Sequence, residues 1–290
     1  MRRACIDIGS NTTRLLVADC DGPRLLEVHQ ERSFTHVGRD LRGDGTIGPA
    51  KIDEVCEVVA AQLRSARDLG AVAVRCVATA SIRRAGNGEQ LARAIRASCE
   101  GLSVEILSGE AEARLAFIGV AAMLDQRPPA PLCVVDVGGG SCELVVGEAP
   151  SSVAWWVSLP LGSGDLATQL RGDPPSAAEL SDARRRANAL LADLHPPAPA
   201  LAVAVSGGAT SLRRLAGPVL DAAAFDRALH VLATNPAHDL VRRFSLDVER
   251  VRLLAAGITI LRAASELLGL PLLVGRGGLR EGILLSAAPD

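Results

Sequence analysis

Two carboxylates flank a glycine turn near the middle of the sequence. Between the apolar runs at residues 132–137 and 142–147 lie three consecutive glycines, with Asp136 before them and Glu143 after them. Short valine-rich runs are typical of buried strands, and glycines permit positive φ angles and a close backbone approach. The exposed amides of such a turn form a concave anion site, and carboxylate oxygens suit a hard divalent cation. The pattern therefore predicts a hairpin that holds phosphate and a metal ion, with a plain surface hairpin as the alternative.

The N-terminus carries a second copy of this pattern. Residues 6–16 align without gaps with residues 135–145, so that Asp7 falls on Asp136 and Gly9 on Gly138. A repeated strand, acid, turn and strand indicate an internal duplication with one phosphate-facing hairpin in each half. We expect the two turns to form opposite walls of one cleft. The predicted phosphate-binding residues of the turns are Ser10, Asn11 and Thr12 in the first copy and Gly138, Gly139, Gly140 and Ser141 in the second.

Composition excludes several classes of protein. With 290 residues, 48% of them hydrophobic and 22% charged, the chain is long enough for two globular domains. A net charge of −2 argues against general nucleic-acid binding, because no strong positive field would collect phosphate backbones. The seven cysteines contain no Cys-x-x-Cys pair, which favours reduced thiols over a zinc site. No apolar run reaches membrane-spanning length, so we expect a cytoplasmic protein without a membrane or nucleic-acid partner.

The two hairpins begin two similar series of elements. In the first half the apolar pattern predicts three strands followed by alternating helices and strands. Three prolines within residues 126–131 precede the second copy, so we place the boundary there, with domains 1–126 and 127–290. The elements predicted after the first hairpin are a strand at 24–32, a helix at 50–69, a strand at 72–78, a helix at 89–98, a strand at 103–107 and a helix capped by Ser108 that runs to about 124.

The second half repeats the three-strand opening and adds another glycine turn. Ser176 and Glu179 form a capping-box signature at the start of a helix. After a strand at 201–205, Gly207 and Gly208 open a further helix, whose N-terminus would attract phosphate. The remaining predicted elements are strands at 132–137, 142–147, 153–159 and 272–274, a helix from Asp247 to Leu268 and a final helix that follows the glycine-rich residues 275–282.

Five ordered segments run nearly from end to end of the chain, at residues 7–15, 78–83, 108–115, 136–143 and 277–282. Together they resemble the exopolyphosphatase and guanosine pentaphosphate phosphatase (Ppx/GppA) family. The resemblance implies an α/β fold of two ribonuclease-H-like domains, from the superfamily of actin-like ATPases and sugar kinases, with an inter-domain cleft. Longer members of the family carry an extra C-terminal region, and this sequence looks like the short two-domain form.

The resemblance assigns roles to particular residues. In this family an Arg placed like Arg83 holds substrate phosphate, and a Glu placed like Glu112 serves as the catalytic base for water. Acids placed like Asp136, Glu143 and Asp7 are expected to hold a divalent metal, Mg²⁺ or Mn²⁺. Phosphoryl transfer needs positioning and charge neutralisation, which backbone amides, an arginine fork and a metal supply, while a carboxylate orients the attacking water.

Spacing alone leaves alternatives open at these positions. Glu110 competes with Glu112, because both lie in the first turn of the predicted helix and either fits a surface acid that matches the helix dipole. Arg83, next to Arg84, also fits a solvated surface charge. The third glycine turn matches the family pattern less closely than the other two. Cys142 stands where the family usually has Thr, so we expect a hydroxyl contact with phosphate to be lost there.

The resemblance implies a phosphoanhydride hydrolase that releases terminal orthophosphate from inorganic polyphosphate, here with short chains as the substrate. The alternatives are hydrolysis of guanosine pentaphosphate at its 5′ end, a non-catalytic sensor of polyphosphate or an alarmone, and an actin-like sugar or acetate kinase. With 2% aromatic residues, a stacking pocket for guanine is hard to find, which favours polyphosphate. A homodimer is a further expectation, in which Trp155 and Trp156 are either an exposed apolar patch or part of the core. Four arginines could add a positive rim for a polyanion, namely Arg14, Arg213, Arg276 and Arg280.

Overall fold

Strands and helices alternate along most of the chain in the computed structural model, which describes residues 1–41 and 43–286. The strands of this part are β1 (Arg2–Ile8), β2 (Thr12–Asp21), β3 (Arg24–Phe34), β4 (Ala73–Ala78), β5 (Val104–Ile106), β6 (Leu132–Val137), β7 (Cys142–Glu148), β8 (Ser152–Leu159), β9 (Leu201–Val205), β10 (Val219–Leu220) and β11 (Leu272–Val274). The helices are α1 (Pro49–Asp68), α2 (Ala80–Arg84), α3 (Gly88–Ser98), α4 (Gly109–Ala122), α5 (Ser163–Ala167), α6 (Ala177–Leu191), α7 (Ser206–Ala216), α8 (Ala222–Thr234), α9 (Ala237–Phe244), α10 (Val248–Leu268) and α11 (Leu279–Ser286).

The chain forms two compact units, each built around one sheet. The first unit contains Met1–Ala122 and the described residues from Gly277 onward, and the second contains Met123–Arg276. The first sheet has the order β3-β2-β1-β4-β5, and the second has the order β10-β11-β9-β6-β7-β8. In both sheets an antiparallel three-strand meander is extended by parallel strands, β4 and β5 in one and β9 and β11 in the other. The internal duplication predicted from the two hairpins is therefore present in the strand order as well.

The hairpin strands are buried because helices and further strands cover them. Residues 132–135 of β6 and 142–147 of β7 are all buried, as the valine-rich sequence predicts for central strands. The core is aliphatic, with Phe117 and Phe225 as its largest side chains. All seven cysteines are free and six of them are buried, so they act as small hydrophobic side chains. Trp155 packs against the core of the second unit, whereas Trp156 is 36% exposed.

Residues 277–286 pack in the first unit, whereas the sequence-based boundary places them with the second half. The helix α11 crosses α4 at very short range because glycines lie at the contact. A Cβ at Gly119 would lie 1.9 Å from the carbonyl oxygen of Gly278, and a Cβ at Gly282 would lie 1.8 Å from that of Leu115. The glycines of the 277–282 segment thus allow the end of the chain to return to the first unit.

Most predicted elements form within two residues of their predicted bounds. The predicted caps are also present: Ala111 N–H donates to Ser108 Oγ at 3.1 Å, and Ser176 and Glu179 form a reciprocal capping box. Residues 80–84, for which the sequence predicted no element of their own, form the short helix α2. Within the described part of the chain, no helix has the length and apolar composition needed to cross a membrane.

Candidate active site

In the first unit, the predicted site residues lie at the edge of the sheet where three parallel strands end. The amide of Thr79 donates to the carbonyl of Ile8 at 3.2 Å, and the amide of Leu107 donates to that of Ala78 at 3.0 Å. The ends of β1, β4 and β5 are therefore in register. The turn after β1, the helix α2 and the start of α4 gather at this edge, which is the common position for ligand sites in parallel sheets.

The first glycine turn presents backbone amides at this edge. Gly9 N–H donates to Thr12 O at 3.0 Å, which closes the turn. The carbonyl of Asn11 accepts the amides of Thr35 and His36, at 3.1 and 3.0 Å, so the loop after β3 supports the turn from behind. Among the described residues, no hydrogen-bond acceptor meets the amides of Ser10 and Asn11. These two amides are therefore available to an anion.

Arg83 and Glu112 form an ion pair at the same edge. Arg83 Nη1 lies 2.8 Å from Glu112 Oε2 and donates at 2.7 Å to the carbonyl of Leu107. Glu112 lies in the first turn of α4 and is only 8% exposed, whereas the side chain of its rival Glu110 is 51% exposed and pairs with Arg114. The structure therefore brings together the two side chains that the family pattern predicts as catalytic.

Asp7 lies at the end of β1 with one carboxylate oxygen buried. Its Oδ1 has no hydrogen-bond partner among the described residues. Burial raises the pKa of Asp7, and the positive charges of Arg280 and Arg14 oppose this increase. Arg14 stands directly opposite Asp7 in the β1–β2 pair. In the first hairpin, the carboxylate of Asp7 is therefore paired across the strands with an arginine.

The second turn repeats the geometry of the first. Gly138 N–H donates to Ser141 O at 3.0 Å, and among the described residues the amides of Gly139 and Gly140 have no acceptor. The loop after β8 covers the turn, because Gly164 N–H donates to Gly139 O at 2.8 Å. A Cβ at Gly162 would lie 2.3–2.4 Å from the backbone of residues 139 and 140. Only glycine at position 162 permits this contact.

Asp136 and Glu143 occupy opposite positions in the β6–β7 pair, so their side chains leave the same face of the sheet. Glu143 is 2% exposed, and its Oε1 accepts a hydrogen bond from Ser158 Oγ at 2.7 Å. Among the described residues, no group of three or more His, Cys, Asp or Glu side chains could hold a metal ion. Two carboxylates do fit Mg²⁺, which is often held by one or two carboxylates together with water and substrate phosphate.

The third glycine turn opens α7, which directly follows β9, the parallel neighbour of β6 in the sheet. Ser206 has a positive φ of 103°, and its Oγ accepts the amides of Gly208 and Ala209 at 3.2 and 3.4 Å. A Cβ at Gly207 would lie 2.5–2.7 Å from the guanidinium of Arg250. Gly207 and Gly208 therefore lie in the predicted helix start, but the amide of Gly208 already has a side-chain acceptor.

Two expectations about individual side chains differ from the structure. Cys142 packs in the core of the second unit, and burial together with Glu143 and Asp136 raises the pKa of its thiol well above the ordinary value. A side chain at this position fills the core rather than contacting a ligand. Arg280 is 7% exposed and donates to the carbonyl of Leu15 at 3.3 Å, so it lies inside the first unit rather than on a positive rim.

Several residues that support the turns were not predicted from the sequence. For the loops after β3 and β8, the sequence signal is a small residue shortly after the third strand of each copy. Gly38 follows β3 and donates to Ser10 O at 2.8 Å, as Gly164 does to the aligned Gly139. The other supporting residues that were missed are Ser81, Ser158, Gly162 and Ser163.

Known protein sequences and solved structures resemble this chain. A sequence model described as the Ppx/GppA phosphatase family matches residues 16–290. Exopolyphosphatase 2 of Mycobacterium tuberculosis is 32% identical over 253 residues, covering 83% of this chain and 77% of the relative. Exopolyphosphatase 1 of Mycobacterium leprae is 28% identical over 306 residues, covering 98% and 89%. The crystal structure of the Aquifex aeolicus Ppx/GppA family member matches with a TM-score of 0.83 and 30% identity, covering 99% and 97%. The predicted fold class, two ribonuclease-H-like α/β domains of the actin-like superfamily, is confirmed.

Proposed function

Because this chain belongs to the Ppx/GppA phosphatase family, we propose that it is an exopolyphosphatase that releases terminal orthophosphate from inorganic polyphosphate. Membership of the family makes the chain a phosphatase. The choice of polyphosphate is supported by the names of the two mycobacterial relatives, both exopolyphosphatases. Short chains remain our predicted substrate within this class.

The observation that carries the proposal is the pair of Arg83 and Glu112 beside a turn with free amides. A carboxylate that is nearly buried and held 2.8 Å from a guanidinium has a fixed direction, which a water-activating group requires. We assign to Glu112 the role of orienting the attacking water and accepting its proton. Arg83 then neutralises charge on the transferred phosphoryl group, since a guanidinium fork matches phosphate oxygens.

The two glycine turns are proposed to hold phosphate groups of the substrate. In each turn two backbone amides have no acceptor among the described residues, and amides that point into a concave turn bind anions without adding mobile charge. The residues proposed for these contacts are Ser10, Asn11 and Thr12 together with Gly138, Gly139, Gly140 and Ser141. Gly207 and Gly208 stay predicted contacts at the start of α7.

Asp136 and Glu143 are the residues proposed to hold Mg²⁺ or Mn²⁺. When bound, the ion would neutralise charge on the phosphate oxygens. Ser158 donates a hydrogen bond to Oε1 of Glu143, which orients this carboxylate. Asp7 stays a predicted ligand, although in its own hairpin it stands opposite Arg14 rather than a second acid.

The test is release of orthophosphate from polyphosphate of defined length by the purified protein. We expect turnover with Mg²⁺ or Mn²⁺, no turnover in excess EDTA, and faster release from short chains than from long ones. Tripolyphosphate, long-chain polyphosphate, guanosine pentaphosphate and ATP should be compared at equal concentrations. Tight binding of polyphosphate without release under either metal would contradict the proposal and favour the non-catalytic sensor.

A second candidate function, hydrolysis of guanosine pentaphosphate, is favoured by an aromatic stack beside the first turn. The rings of Phe34 and His36 are 5.6 Å apart and stacked, and Arg32 lies 4.9 Å from the centroid of the Phe34 ring. The amide of His36 bonds to the carbonyl of Asn11, so the stack is attached to the phosphate turn. If guanine binds here, Phe34→Leu should raise KM for guanosine pentaphosphate while leaving KM for tripolyphosphate unchanged. Equal changes for both substrates would exclude the stack as a base site.

A further inference from the structure

Two serine hydroxyls join separate segments of the first unit. Ser81 Oγ donates to Ser10 Oγ at 2.5 Å, and the two residues are 0% and 6% exposed. Ser10 belongs to the first glycine turn, whereas Ser81 lies in α2, two residues before Arg83. The contact therefore connects the two segments to which the proposed function assigns phosphate binding.

The loop after β3 closes this contact on a third side. Gly38 N–H donates to the carbonyl of Ser10 at 2.8 Å. A Cβ at Gly38 would lie 2.7 Å from Ser81 Oγ and 3.1 Å from Ser10 Cβ. Gly38 thus packs directly against both serine side chains.

The second copy shows that the hairpin does not need a serine pair to fold. The residue aligned with Ser10 is Gly139, which has no side chain, and yet the second turn closes with the same hydrogen bond. That bond measures 3.0 Å from Gly138 to Ser141 and 3.0 Å from Gly9 to Thr12. Because turn closure is the same in both copies, the serine pair of the first copy calls for a role other than shaping the turn.

We infer that Ser81 is a positioning residue for phosphate binding, which directs the hydroxyl proton of Ser10 towards the substrate and ties the turn to the helix of Arg83. A hydroxyl carries one proton, so when Ser10 Oγ accepts from Ser81 its own proton points elsewhere. A phosphate oxygen at the turn is the acceptor of suitable chemistry. This inference rests on the proposed function, because it assumes that the turn and Arg83 hold the same phosphate-bearing substrate.

A double-mutant cycle on the full-length protein tests the inference. Ser10→Ala, Ser81→Ala and the double variant are compared with the wild type by calorimetric titration of tripolyphosphate and by steady-state release of orthophosphate. Losing one neutral hydrogen bond should weaken affinity and raise KM by about 2- to 12-fold in each single variant. The double variant should be no weaker than the weaker single variant, because Ser81 acts through Ser10. We expect kcat to change by less than about twofold, as for a loss of uniform binding.

Two further variants separate positioning from general stability. Gly38→Ala should reproduce the Ser81→Ala effect, because its Cβ would displace the Ser81 hydroxyl. Ser98→Ala is the control, since Ser98 lies at the end of α3, where its Oγ bonds to the carbonyl of Ile95 and to the thiols of Cys99 and Cys56. We expect Ser98→Ala to leave KM and tripolyphosphate affinity at wild-type values.

The outcomes for the inference and for the proposed function can be distinguished. Wild-type KM and affinity in Ser81→Ala, or losses that multiply in the double variant, would overturn the positioning role. If the wild type binds tripolyphosphate without releasing orthophosphate, the proposed function fails, while the binding cycle still decides the role of Ser81. A wild type that neither binds nor hydrolyses tripolyphosphate would overturn both.

Discussion

Among single residues, Arg83 has the most specific hydrogen-bond geometry in the candidate site. One nitrogen, Nη1, meets both the Leu107 carbonyl and the Glu112 carboxylate, at 2.7 and 2.8 Å. A planar fork can hold these two acceptors and still direct other N–H groups at a phosphate, whereas an ammonium is a compact point donor. The identity of the residue as Arg, rather than its charge alone, is therefore expected to matter.

We predict that Arg83→Lys raises KM for polyphosphate by about tenfold or more, the usual effect of losing a charge-assisted hydrogen bond. Arg84→Lys is the matched control, because it makes the same substitution, with the same charge, at the neighbouring exposed arginine. Initial rates over a range of polyphosphate concentrations give both values. A wild-type KM in Arg83→Lys would show that the fork does not contact the substrate.

Glu110 and Glu112 could not be distinguished from their sequence pattern alone. Two acids in the first turn of α4 are equivalent by dipole and spacing, so the pattern alone left Glu110 and Glu112 as rivals. They differ in burial: Glu112 is 8% exposed and paired with Arg83, while Glu110 is paired with Arg114 on the surface. Burial depends on which face of α4 packs inward, which is a tertiary property. Only the resemblance to the family separated the two in advance.

Among the elements, the close crossing of α4 and α11 holds α11 in the first unit. The two helices touch backbone to backbone through Gly119 and Gly282, where any side chain would overlap a carbonyl oxygen. We predict that Gly119→Ala lowers the free energy of unfolding by ~3 kcal/mol, because overpacking at a rigid backbone contact cannot relax into a new rotamer. Chemical denaturation of the full chain measures this change.

Gly257→Ala is the control for that substitution. Gly257 also lies inside a helix, α10, but its nearest neighbour would be Ser163 Cβ at 3.8 Å, an ordinary contact distance. Since alanine is the better helix former by ~1 kcal/mol, this variant should be neutral or more stable than the wild type. Equal destabilisation by the two substitutions would contradict the close crossing of α4 and α11.

The capping box of α6 gives a pH-dependent prediction. Hydrogen bonds from the backbone and hydroxyl of Ser176 and from the amides of Arg171 and Gly172 lower the pKa of Glu179 from 4.5 to about 2. A carboxyl group with a lowered pKa in the folded state stabilises the protein above its unfolded pKa, and this stabilisation is lost as the pH falls from 4.5 towards 2.

We therefore expect Glu179→Gln to have a lower Tm than the wild type at pH 7, with the difference shrinking as the pH falls below about 4.5. Thermal melts of both proteins at several pH values between 7 and 2 measure the difference. A difference in Tm that stays constant over this range would show that the charge of Glu179 contributes nothing to the cap.

The elements themselves could largely be predicted because their signals are local. Apolar periodicity and capping residues located α1, α3, α4, α6 and α10 without any knowledge of packing. The helices α2 and α5 have only five residues each, which is too short for a period of 3.6 to be visible. The placement of α11 in the first unit could not be predicted either, because it depends on a contact between residues far apart in the chain.

At the scale of the whole molecule, the two copies share a framework but differ in chemistry. Both have the same turn closure and the same supporting loop, while Asp7 faces Arg14 and the aligned Asp136 faces Glu143. The pair of acids suits a metal ion, whereas the acid and cation of the first copy do not repeat that site. The alignment of the two hairpins gave their common fold directly, and the difference at positions 14 and 143 is also visible in the sequence.

Glu112 is proposed to activate water in a phosphatase that acts on polyphosphate. The most direct measurement is kcat for orthophosphate release from tripolyphosphate with Mg²⁺, in the wild type, Glu112→Gln and Glu110→Gln. Removing a general base should lower kcat by about 10²- to 10⁴-fold, so we expect Glu112→Gln to be nearly inactive. Glu110→Gln, two residues away on the exposed face of the same helix, should keep kcat within about twofold of the wild type. Equal rates for the wild type and Glu112→Gln, or a loss confined to Glu110→Gln, would contradict the account.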